Sequence, residues 1–206
     1  MASTERFEKP GVLGWLHKPA QVKAAMLLSH GAGGNCQNSL MVAVAEAFSA
    51  AGYCVLRWDL PFRQLSARGS PGGSGERDRE GIRQAVRNLR EQAPGVPVVL
   101  AGQSYGGRQS SMVAAEDSSL AHRLLLLSYP LHPPGKPGQL RTDHFGSLRT
   151  PALFVHGTRD PFGSVDEMVD AIKLIPATVR LEIVGGAGHG VPPGTAASMP
   201  AWLAAL

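Results

Sequence analysis

Short aliphatic runs alternate along this chain with longer segments of helical period, and that alternation limits its fold more than any other feature. The runs lie near Val12–His17, Ala25–Ser29, Cys54–Trp58, Val98–Ala101, Leu124–Ser128, Ala152–Val155 and Val179–Val184. Between them, residues 39–51, 76–92, 105–115, 165–174 and 195–205 space their apolar positions as helices do. The rhythm is that of a mostly parallel sheet covered by helices on both faces, an α/β fold. No repeat of the kind that builds solenoids interrupts it. With 206 residues, one domain spanning 1–206 is expected.

Two stretches break the rhythm. Residues 60–75 contain "ARGSPGGSG" and residues 130–148 contain "PLHPPGKPGQ"; proline and glycine at that density cannot continue a strand or a helix. Both follow the C-terminal end of a strand, where open α/β sheets place their ligands, so both loops are expected to rim a site.

The chemistry concentrates at other strand ends. In "VVLAGQSYGGRQSSMVAA" an aliphatic strand stops at Gly102-Gln103-Ser104-Tyr105-Gly106 and a helix rich in small residues follows. Gly-x-Ser-x-Gly alone is a weak signal. At a strand-to-helix turn it gains weight, because a sharp turn there exposes the serine hydroxyl and the flanking glycines avoid Cβ clashes. A serine hydroxyl needs a base, and the base needs a partner that fixes its tautomer. "ALFVHGTRD" ends a strand with Asp160 just beyond it, and "LEIVGGAGHG" ends the next with His189. The order Ser104, Asp160, His189 brings three complementary groups to one edge of a parallel sheet. A fourth strand end, "LLSHGAGGN", supplies a glycine-rich loop whose Ala32 N–H, with that of Tyr105, suits an oxyanion. A phosphate nest is the rival reading of that loop, but neither a Walker lysine nor GxGxxG accompanies it.

Taken together, "HGAGG", "GQSYGG", "HGTRD" and "GAGHG" resemble the α/β-hydrolase superfamily, and "YPLHPPGKP" with "LRTPALFVHGTRDPFGS" resembles its small cap-less members related to dienelactone hydrolases. The resemblance covers nearly the whole chain. It implies an α/β-hydrolase fold with a mostly parallel central sheet and no separate cap domain. It further implies Ser104 as nucleophile, His189 as base, Asp160 as orienting carboxylate, and Ala32 and Tyr105 as oxyanion donors, with no cofactor and no metal. Dienelactone hydrolases proper use a cysteine where Ser104 stands, so their lactone chemistry is not carried over. The activity implied is hydrolysis of a carboxylic ester-type bond in a small molecule. Acyl transfer, C–C bond hydrolysis and a non-catalytic scaffold remain alternatives on the same fold.

Composition removes other classes. The chain is 43% hydrophobic and 17% charged, and it contains no run of 18 apolar residues, so no membrane association is expected. Its opening, "MASTERFEKPG", lacks the apolar core of a signal peptide, which makes the cytoplasm the default location. The net charge of +4 would permit nucleic-acid binding, but Arg79, Arg83, Arg87 and Arg90 are interleaved with Glu80 and Glu91, as on a solvated helix face, and nucleic acid is not expected as a partner. Cys36 and Cys54 belong to no metal-spaced cluster and are read as buried free thiols. Asp59 and Asp143 are alternative carboxylates. His30 and His156 precede glycines at strand ends, where structural hydrogen bonds are expected. Arg63, His132, Lys136, Arg141 and His144 lie in the rim loops and could meet a carboxylate or phosphate on a substrate, but for any one of them solvated surface is the reading preferred.

Overall fold

The computed structural model describes residues 2–206. Eight strands form one sheet: β1 (Ser3–Lys9), β2 (Val12–Lys18), β3 (Ala24–Ser29), β4 (Tyr53–Asp59), β5 (Val98–Gln103), β6 (Arg123–Leu127), β7 (Ala152–Gly157) and β8 (Val179–Val184), in the spatial order β1-β2-β4-β3-β5-β6-β7-β8. The pairs from β4 to β8 are parallel, while β1 and β2 add an antiparallel hairpin on one side. All six residues of β3 are buried, as are all six of β7. Strands apolar on both faces require cover on both faces. Register lines up Leu56, Leu27, Leu100 and Leu124 across four adjacent strands.

Helices supply the cover. Helix α1 (Ser39–Ala50) packs Leu40, Met41, Val44 and Phe48 against Met26, Leu28 and Val55, and α6 (Met199–Ala204) joins it through Met199 and Leu203. On the opposite face α3 (Glu76–Gln92), α4 (Tyr105–Glu116) and α5 (Val165–Ile172) pack Ile82, Val86, Leu89, Val113 and Met168 against Leu27, Leu56, Leu100 and Phe154. Side chains alternate along each strand, so one strand feeds both clusters. Asn38 caps α1 through its side chain, and Ser164 with Glu167 forms a capping box at α5.

Four features depart from the expectations above. β1 precedes the first expected strand; only Phe7 of its seven residues is buried, so it carries no apolar face to read. The 60–75 loop contains a short helix, α2 (Pro61–Leu65), started by proline at its first position. The helix expected over 195–205 is divided into a 3-10 segment (Pro193–Ser198) and α6, with Pro200 in the first turn of α6. Arg79 is not solvated: it is buried, and pairs with Glu76 and with Glu116. Arg83 and Arg87 are matched by Glu76, Glu80 and Glu116 as well. Among the described residues no inserted domain covers the strand ends, and no helix is long and apolar enough to cross a membrane.

Candidate active site

The sheet order reverses between β3 and β5, which are neighbours although β4 lies between them in sequence. At such a switch point the loops leaving the two strands diverge and open a crevice. Ser104 stands on one side of it, between β5 and α4, and the loop 31–34 on the other.

Ser104 adopts φ 49° and ψ −117°, a region that side chains other than glycine rarely enter. Its N–H donates to the Leu127 carbonyl of β6 at 2.8 Å, and its own carbonyl accepts from Arg108 N–H at 2.9 Å, so strand and helix hold the turn from both ends. Glycines make the turn possible. A Cβ on Gly102 would lie 2.5 Å from Gly107 N and 2.6 Å from Gly106 C. One on Gly106 would run into the His30 carbonyl oxygen and lie 2.7 Å from that of Ser29. α4 thus approaches β5 and β3 more closely than any side chain would permit.

The three residues expected to converge do meet. Ser104 Oγ is 2.7 Å from His189 Nε2, and His189 Nδ1 is 2.9 Å and 3.0 Å from the two oxygens of Asp160. A carboxylate only accepts, so Nδ1 carries the proton and Nε2 offers its lone pair to the serine hydroxyl. The Asp160 side chain is fully buried and also accepts from Phe162 N–H at 2.9 Å. The Phe162 ring stacks on His189, centroids 3.8 Å apart and planes 27° from parallel, which limits the imidazole to one orientation. Arg159 N–H donates to the Ala187 carbonyl at 2.8 Å, joining the loop that bears Asp160 to the loop that bears His189.

The loop 31–34 is braced from outside. Nδ1 of His30 donates to the Gly31 carbonyl at 2.7 Å, while its Nε2 accepts from Leu60 N–H at 3.1 Å. Burial lowers its pKa, in keeping with a neutral ring. Arg63 of α2 donates through Nη2 to the Ala32 carbonyl at 2.8 Å. α2 is itself fastened by Asp78 on α3, which accepts from Phe62 N–H at 3.1 Å and from the Tyr105 hydroxyl at 2.7 Å. Burial, then Asp78, push the Tyr105 phenol upward. Among the described residues the N–H groups of Ala32 and Tyr105 have no acceptor, and both residues line the crevice.

The remaining candidates are placed elsewhere. Asp59 accepts from Cys36 N–H at 2.7 Å and lies 3.7 Å from His30, within the packing behind the loop. Cys36 and Cys54 are buried free thiols, and burial followed by Asp59 pushes Cys36 up to about 12, leaving it no thiolate at neutral pH. Asp143 is exposed. His156 is fully buried and donates to the Gly163 carbonyl at 2.8 Å. Of the five rim residues read as surface, only Lys136 is exposed. His132 is buried against Pro133 and Glu167, His144 meets Ser111 Oγ at 2.8 Å, and Arg63 and Arg141 are half-buried. The crevice encloses about 560 Å³, and Phe162, Arg108 and Arg141 line it beside the Ser104–His189 pair. Phe162 lies within "HGTRDPFGS", though nothing in that pattern marks it as a site residue; Arg108 is one helical turn beyond Ser104, the one clue to its position.

Comparison with known proteins agrees with this architecture. The model of a family described as alpha/beta hydrolase domain matches residues 22–199. A Pongo abelii protein provisionally named protein-lysine deacylase ABHD14B is 27% identical over 170 residues, 82% of this chain and 76% of that protein. Among solved structures, dienelactone hydrolase from Anabaena variabilis superposes with a TM-score of 0.75 at 21% identity, covering 99% of this chain and 94% of that one. XC6422 from Xanthomonas campestris, described as an a/b serine hydrolase without lid, gives 0.73 at 18% identity over 98% and 95%.

Proposed function

Because the chain belongs to the alpha/beta hydrolase family, we propose that it is a serine hydrolase that cleaves a carboxylic ester-type bond through Ser104, His189 and Asp160. The observation that carries this reading is the unbroken hydrogen-bond path from the Ser104 hydroxyl through His189 to a buried carboxylate. Ser104 Oγ attacks the substrate carbonyl carbon as its proton passes to His189 Nε2. The negative charge that develops on the carbonyl oxygen is met by the N–H groups of Ala32 and Tyr105, which need no reorganisation to receive it. Collapse breaks the bond to the leaving group, which takes the proton from His189 and departs. Water then attacks the acyl-enzyme while His189 takes its proton, and a second collapse frees the acid and restores Ser104. Asp160 stays ionised throughout and stabilises the imidazolium formed at each step.

What favours catalysis over the scaffold alternative is that the strained turn of Ser104 points its hydroxyl at His189, whose other nitrogen meets a buried carboxylate. Intact mass after incubation with a fluorophosphonate tests the reading. One adduct is expected on the wild type, none on Ser104→Ala, and labelling slowed by about a hundredfold or more on His189→Ala. An adduct on folded Ser104→Ala, or none on the folded wild type, would overturn it.

A further inference from the structure

Two guanidinium groups face the same crevice with no carboxylate beside them. Arg108 projects from the first turn of α4; its Nε is buried without a hydrogen-bond partner, and it forms no ion pair among the described residues. Arg141 comes from the loop 130–148 and is held at three points. Its N–H donates to the Leu131 carbonyl at 2.8 Å, its carbonyl accepts from the buried Tyr129 hydroxyl at 2.7 Å, and its Nη1 donates to the Pro130 carbonyl at 3.2 Å. It too lacks an ion pair among the described residues. Arg79, Arg83, Arg87 and Arg180 each meet a glutamate, whereas no acidic side chain lines the crevice that holds Arg108 and Arg141.

The loop that brings Arg141 is stitched to α4 by Ser111 and His144, so the two cations are presented by elements that are fixed to one another. Burial, then the Arg108 charge, lower the pKa of Arg141. Arginine nonetheless stays protonated, so the two like charges oppose each other. His144 adds no third positive charge at neutral pH, because burial and then Arg108 hold its ring neutral down to about 4. A water-accessible crevice with two fixed cations and no internal counter-ion is complementary to an anion.

We propose that the substrate hydrolysed at Ser104 carries an anionic group, a carboxylate or a phosphate, that Arg108 and Arg141 bind together. The proposal rests on the serine hydrolase reading for its chemistry, though the anion site itself does not. A guanidinium pairs with two acceptor oxygens at once, so either group matches the donors available.

The first experiment compares kcat/KM for mono-p-nitrophenyl adipate with that for its methyl ester, which differs only by masking the carboxylate. The free acid is expected to be favoured by about tenfold or more, with most of the difference in KM. Arg108→Gln with Arg141→Gln should bring the ratio near unity, Arg108→Lys should retain part of it, and the wild-type preference should shrink as salt rises from about 50 to 500 mM. Equal or better turnover of the methyl ester by wild type that a fluorophosphonate labels at Ser104 would overturn the proposal. Calorimetry on Ser104→Ala with adipate and with inorganic phosphate separates the two anions and needs no catalysis. Binding that is lost in the double arginine variant upholds the site even if Ser104 proves unreactive, and absence of binding by both anions refutes it.

Discussion

Replacing Gly106 by alanine tests the geometry on which the crevice depends. The added Cβ would meet the His30 carbonyl oxygen, with Ser29 O at 2.7 Å and Ser29 C at 2.8 Å. Comfortable heavy-atom separations are about 3.5 to 4.0 Å, so α4 and the end of β3 must part by roughly 1 Å. Overpacking typically costs about 1 to 3 kcal/mol. All three opposing atoms are backbone and cannot rotate aside, which puts Gly106→Ala near the upper end, about 3 kcal/mol. For a chain of this size each kcal/mol lowers Tm by roughly 2 to 4 °C, giving an expected fall of roughly 6 to 12 °C. The displaced strand also carries the loop 31–34, so fluorophosphonate labelling at 25 °C should slow by about tenfold or more. Gly146→Ala is the control: nothing lies within 4 Å of its Cβ position, and Tm should stay within about 2 °C. Thermal unfolding followed by circular dichroism reads both. A Gly106→Ala variant that melts with the control and labels at the wild-type rate would show that helix and strand are not in contact as described.

Two further outcomes follow from the same structure. His17 is buried, its Nε2 accepts from Arg57 Nε at 2.8 Å, and burial followed by the Arg57 charge lowers its pKa from 6.5 to about 4. The unfolded chain therefore binds this proton first. The stability His17 contributes is complete above about pH 6.5 and is lost as pH falls toward 4, by about 3 kcal/mol. His144 acts in the same direction. Urea midpoints measured at pH 7 and pH 4.5 should differ accordingly, and less so in His17→Gln; equal midpoints for the wild type would refute the account. Arg63→Met should lower kcat by about tenfold with little change in KM or Tm, since Arg63 positions the Ala32 peptide and is otherwise half-exposed. A fall in Tm without a change in kcat would assign it a purely structural role.

Much of this architecture can be read from local pattern. β3, β5, β6 and β7 are short aliphatic blocks because both their faces are covered, and Ser104 and Asp160 declare themselves by standing just past two of them, while His189 stands on the glycine-rich loop beyond the half-exposed β8. β1 does not, since an edge strand with one buried residue is specified by pairing with β2 rather than by its own apolar face. Five residues in α2 are too few to display a helical period. The rim residues are the least legible: whether His132 or His144 meets water depends on partners more than 30 residues away, Glu167 and Ser111, that no local window includes. Arg63 looks like an ordinary surface cation until the fold brings it to the Ala32 carbonyl.

The loop that bears His189 has a further dependence. Ala187 and Val191 on either side of that histidine belong to the same packed cluster as Met199 and Leu203 of α6 and as Leu40 and Met41 of α1. Helix α6 supplies no group to the proposed triad, yet it closes the packing around His189, the base that the proposal assigns to Ser104. During synthesis, a chain that has emerged only as far as the start of α6 already contains Ser104, Asp160 and His189 but not the apolar side chains that seat the imidazole. On the proposed reading, reactivity would thus arrive only once α6 has been made, and products that stop before it would carry Ser104 and His189 in silence.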